Sequence, residues 1–74
     1  MQQYKNKSGN SGVTGYAISE GQIIVQFKGD SQYVYNHIKP GSHHVNQMQR
    51  LAVLGQGLNR YISQNVNTNY FEKL

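Results

Sequence analysis

The sequence predicts an α+β domain: a three-stranded antiparallel β-meander with one long or bent C-terminal helix packed on one face. Three observations carry this reading. "QIIVQFK" (22–28) alternates, with Ile23, Val25 and Phe27 on one side and Gln22, Ile24, Gln26 and Lys28 on the other, as a half-buried strand does. "VTGYAIS" (13–19) and "QYVYN" (32–36) flank it across the turn sequences "EG" and "GDS", which are short enough for antiparallel neighbours. From Val45 onward the apolar period changes from two residues to that of a helix.

"MQQYKNKSGNSG" has no period and one large apolar side chain within it, Tyr4, so residues 1–12 are expected to be a flexible arm and 13–74 the folded domain. "IKPG" ends the strand region because Pro40 and Gly41 continue neither element well. Ser42 is the expected N-cap. At about 100° per residue, Val45, Met48, Leu51, Ala52, Gly55, Leu58 and Ile62 share one broad stripe, wide enough for a helix lying across a sheet. Gly55 lies mid-stripe, where a missing side chain allows close approach to the strands. Gly57 lies off the stripe and marks a bend. Asn59, on the stripe's edge, is expected to hydrogen-bond backbone. "NVNTN" ends the helix, and Tyr70 and Phe71 offer a closing apolar latch.

The chain has 74 residues, no cysteine, and seven Lys and Arg against three acids for a net charge of +4. Disulfides and thiolate metal sites are excluded, which agrees with the expected cytoplasmic location. No apolar run approaches the roughly 18 residues that span a bilayer, and no signal-peptide core follows Met1, so no membrane partner is expected. The charge favours anionic partners by field. It equally serves solubility, since the cations stand singly.

Catalysis is not expected. Glu20 and Asp30 fall in turns and Glu72 near the end, so no carboxylates are paired for acid–base work. His43 and His44 are adjacent and point about 100° apart on a helix, unlike an i, i+4 metal pair; with His37 they read as surface residues, and no metal is expected. "GQGLN" (55–59) lies inside a helical pattern, not between strand and helix, so it is no phosphate loop and no cofactor is expected.

That leaves Tyr33 and Tyr35, which share one face of their strand while Val34 takes the other. A two-residue Gly29-Asp30 loop would pair Val25 with Val34 and put both tyrosines on the open face, as a platform for bases. A three-residue loop would pair Phe27 with Tyr33, send both tyrosines under the helix and expose Val34. The inward arrangement is favoured, because so small a sheet needs aromatic area for its core.

Phe27, Gly29, Tyr33 and Tyr35, followed by Ala52, Gly55, Leu58, Asn59 and Ile62 and the closing "NYFEKL", resemble the pattern of the KTSC domain. That family is named for a module at the C-terminus of some lysyl-tRNA synthetases and also occurs as small stand-alone bacterial proteins. The resemblance covers residues 13–74 and is carried by the order and spacing of its pieces. Val53 stands where a small Ser is usual, Gly57 where an aromatic is usual, and "IKPG" replaces a Val-Pro turn. The resemblance implies no catalytic residues. It implies RNA only through the family's attachment to a synthetase.

The leading expectation is therefore a small non-enzymatic binding module for RNA or another single-stranded nucleic acid. Its candidate contacts are Tyr33, Tyr35, Lys28, Lys39, Arg50 and Arg60. The alternative is a protein–protein interaction module, a homodimer included, using the sheet edge or the helix surface.

Overall fold

A computed structural model describes residues 1–74. The class is α+β with an antiparallel sheet, but the sheet has five strands in the order β1-β2-β3-β4-β5 rather than three. The expected meander is its centre: β2 (Val13–Ser19), β3 (Gln22–Phe27) and β4 (Gln32–Asn36). The additions are β1 (Gln2–Gln3), which pairs with β2, and β5 (Glu72–Lys73), which pairs with β4. Two residues are too few to show an alternation, so neither edge strand leaves a periodic trace in the sequence.

The β3–β4 turn answers the parity question. Phe27 N–H donates to Ser31 O at 2.9 Å and Asp30 N–H to Phe27 O at 3.0 Å. The loop is thus Lys28-Gly29-Asp30, with φ of +87° at Gly29 and +68° at Asp30, a conformation open to glycine and tolerated by Asp. Val25 then pairs with Tyr33 and Ile23 with Tyr35. Both tyrosines share the core face, as favoured, although Tyr33 faces Val25 rather than Phe27. Val34 was expected to be exposed, yet it is buried. It pairs with Glu72 on one side and Ile24 on the other, because β5 makes β4 an inner strand.

In β2, Val13 pairs with Phe27 and Gly15 with Gln26, so Thr14 is an extra residue. This bulge brings Val13 and Tyr16, an odd number of residues apart, to the same core.

The one long or bent helix of the sequence reading is two helices: α1 (Ser42–Leu54) and the short α2 (Leu58–Tyr61), which runs on into a π turn over Ile62–Val66. Gly55 ends α1 in the left-handed conformation, its N–H donating back to Leu51 O and Ala52 O. Gly57, at φ +84°, precedes α2. The stripe survives the break. Val45, Met48, Ala52, Leu58, Ile62 and Val66 bury themselves against Tyr4, Val13, Ile23, Val25 and Tyr35. At the other end Gly41, not Ser42, is the N-cap, and its carbonyl accepts the first helical bond from Val45 N–H. Asn36 holds the connecting loop, its Oδ1 accepting from Ile38 N–H and Lys39 N–H. Gln49 of α1 donates from Nε2 to the carbonyls of Ser19 and Gln22, tying the helix to the β2–β3 turn.

Residues 1–12 are not a free arm. Tyr4 is 3 % exposed and belongs to the core. Its hydroxyl accepts from Leu58 N–H at 3.2 Å, and Lys7 N–H donates to Gly55 O at 2.8 Å. A Cβ on Gly55 would lie 2.5 Å from Lys5 Cβ. The segment therefore clasps the break between α1 and α2. Composition missed it because a two-residue pairing with β2 and a few well-placed contacts, rather than a periodic face, hold it down. Asn59 makes no side-chain bond to backbone; its Oδ1 lies beside Gly12 instead.

Candidate functional site

One end of the sheet carries an aromatic hollow. β3 ends in Phe27, β4 presents Tyr33 and Tyr35 from the same face, and the chain leaving the π turn crosses them with Asn67, Thr68 and Tyr70. Lys28 and Ser31 of the hairpin loop and Ile62 complete a cavity of about 370 Å³. That is near the lower end of the roughly 300–1,000 Å³ of small-ligand sites.

The rings meet edge to face. The Phe27 and Tyr33 centroids are 5.6 Å apart at 80°, and those of Tyr33 and Tyr70 are 4.8 Å apart at 61°. Such pairs stabilise by about 0.5–1.5 kcal/mol beyond their buried area, so the walls are held in place. Lys73, on β5, sits with Nζ 5.6 Å from the Tyr33 centroid. At an exposed site this contact is worth about 0.5–1 kcal/mol. A stacked base is worth about 1–3 kcal/mol, so an aromatic ligand can displace the ammonium.

Tyr35 forms the floor. It is 2 % exposed, and none of the side-chain hydrogen bonds of the protein involves it. No side-chain polar atom is both sealed from solvent and unpartnered, so the Tyr35 hydroxyl keeps some access to solvent, and Tyr35 lines the hollow. Burial first, then the neighbouring Tyr33 and Tyr70, pushes it from 10.0 up to about 12. It remains a proton donor throughout the physiological range. Asn67 closes the far wall at φ +51° and ψ −122°, outside the left-handed well a non-glycine residue prefers.

Of the six residues singled out in the sequence, the structure brings three together: Lys28, Tyr33 and Tyr35. Lys39 lies exposed in the loop between β4 and α1. Arg50 lines a shallow groove with His43, His44 and Tyr61, and Arg60 another with Ser8, Asn10 and Gln56. The six do not make one surface. Sequence reasoning missed Tyr70 as a wall, having it as a core latch, and missed Lys73 and Asn67 altogether. Lys73 had a signal: a cation two places from an aromatic in a segment able to add a strand. His37 and His43 are exposed, whereas His44 is half-buried with Nδ1 2.7 Å from the Tyr61 hydroxyl. No group of three or more His, Cys, Asp or Glu is placed to hold a metal ion, and no helix is long and apolar enough to cross a membrane.

No family model, curated protein or solved structure matches the chain. The likeness to the KTSC domain rests on the residues quoted for it.

Proposed function

We propose that this protein is a non-enzymatic binding module for single-stranded nucleic acid, RNA foremost, and that the aromatic hollow is its contact. The observation that carries the reading is the meeting of cations and aromatic rings at that end of the sheet, with Lys28 on its lining and Lys73 above Tyr33. Strand-binding sites combine the same two elements, a positive rim that follows phosphates and rings on which bases stack. The +4 net charge favours the encounter. The KTSC resemblance points the same way.

Two lysines supply only a little affinity, so binding is weak and salt-sensitive. Neutralising two phosphates of a single strand gives a log–log salt slope of about −1.4. Fluorescence anisotropy with a labelled mixed-sequence RNA of about 12 nucleotides tests this, since such sites cover roughly 4–16 nucleotides. Lys28→Ala and Lys73→Ala each weaken binding and flatten the slope by about 0.7. Lys39→Ala, Arg50→Ala and Arg60→Ala change it little. Equal losses at all five positions, or no binding at low salt, refute the reading.

A protein partner is the second reading. It is favoured by Val53 and Leu54, neighbours at the end of α1 that are 59 % and 48 % exposed. The two-residue edge strands offer little template for strand addition, which moves this reading to the helix surface. A concentration-dependent mass in light scattering, abolished by Val53→Lys, supports it.

A further inference from the structure

The contents of the hollow specify more than a strand in general. Its walls are flat rings, its floor is one phenolic donor with no acceptor inside the protein, and its charged lining residue is a cation. No carboxylate lines it. The nearest in sequence, Asp30, accepts from Gln26 Nε2 at 3.0 Å instead. A volume of about 370 Å³ is enough for a ligand the size of one nucleotide. A ligand that satisfies all four features is planar, presents a hydrogen-bond acceptor at its inner edge and carries an anion at its outer one.

We infer that the hollow seats a single nucleotide, its base against the rings of Tyr33 and Tyr70, a base acceptor on the Tyr35 hydroxyl and its phosphate toward Lys28. This rests on the nucleic-acid reading for the identity of the ligand, and adds that one extruded base, rather than the run of the backbone, is what the site grips. A nucleotide can come from a strand or free in solution, and both offer the same ring, acceptor and anion. Donation from a buried hydroxyl also implies a preference among bases, because only an acceptor at the right edge pairs it.

The test is a titration of the isotope-labelled protein, followed by amide chemical shifts, with each of the four nucleoside 5′-monophosphates, with ribose 5-phosphate and with a short RNA. The expected result is movement of the resonances of 28–31 and 67–70 with at least one nucleotide, and none with ribose 5-phosphate at equal concentration. Tyr35→Phe keeps the spectrum of a folded protein and weakens that nucleotide by about three- to tenfold. Lys28→Ala weakens nucleotide and RNA alike. If ribose 5-phosphate moves the same resonances as well as the nucleotides do, the site reads phosphate and the base seat is wrong. If RNA binds while every mononucleotide leaves 28–31 and 67–70 unmoved and Tyr35→Phe has no effect, the single-nucleotide inference fails and the strand reading stands. If neither nucleotide nor RNA binds, both fail together.

Discussion

Replacing Tyr4 by phenylalanine removes one oxygen and tests whether the N-terminal segment is part of the folded domain. That oxygen accepts from Leu58 N–H, the first amide of α2, which has no intrahelical partner. Leu58 is fully buried, so water cannot take the oxygen's place. An unpaired buried donor costs about 1–3 kcal/mol. A domain this small gains about 4–11 kcal/mol on folding, so the loss is a sizeable part of the whole. At about 4–8 °C per kcal/mol, Tyr4→Phe lowers Tm by at least about 4 °C. Tyr4→Ala also empties a core site, at about 3–5 kcal/mol, and leaves the protein near the edge of folding. Circular dichroism melts of the wild type and both variants read the series. Deletion of residues 2–12 falls at or below Tyr4→Ala. A Tyr4→Ala variant that melts within a degree of the wild type refutes the clasp and restores the flexible arm.

The glycines at the helix break behave alike. Gly55→Ala meets Lys5 at 2.5 Å and the left-handed backbone, and Gly57→Ala meets the backbone penalty at φ +84°, so both lower Tm, Gly55→Ala the more; a rise for Gly57→Ala would mean a helical backbone there. Asn67→Gly relieves the backbone at φ +51° and ψ −122° and raises stability by about 1 kcal/mol in urea titrations, whereas an unchanged midpoint denies the strain. Alkaline pH weakens the fold through Tyr35. Its hydroxyl ionises near 10.0 unfolded and about 12 folded, so the folded state holds the proton longer. The contribution is complete below pH 10 and lost as pH rises through 12, about 3 kcal/mol in all. Tyr35→Phe removes that part of the decline while changing stability at pH 7 by little, since the hydroxyl makes no bond to the protein; parallel pH curves for the two proteins contradict this.

Periodicity accounts for what the sequence made visible. β3 and its neighbours alternate because one face meets a helix, and the 45–62 stripe recurs because it meets the sheet. The need for buried area favoured the inward arrangement of Tyr33 and Tyr35, but the sequence left both loop lengths open and the three-residue hairpin loop decides it. The helix break was legible only as a bend at Gly57; that α1 ends at Gly55 was not, because Gly55 in a stripe reads equally as close packing or as a left-handed cap, and only the position of Lys5 separates the two. Tyr4 was invisible since its partner, Leu58, lies 54 residues away. The hollow was half legible: Phe27, Lys28, Tyr33 and Tyr35 are neighbours along one hairpin, while Asn67, Tyr70 and Lys73 arrive from the far end of the chain. Arg50 and Arg60 were grouped with them by charge, which carries no direction.

Photo-crosslinking tests the nucleic-acid contact most directly. A single-stranded RNA carrying 5-bromouridine couples to the aromatic side chain its base lies against, and peptide mass spectrometry names the residue. The six tyrosines of the chain give built-in controls, for Tyr16 and Tyr61 lie outside the hollow. Crosslinks at Tyr33 or Tyr70, lost in high salt and reduced by Lys28→Ala, are the predicted result. Crosslinks confined to Tyr16 or Tyr61, or none at low salt, contradict it.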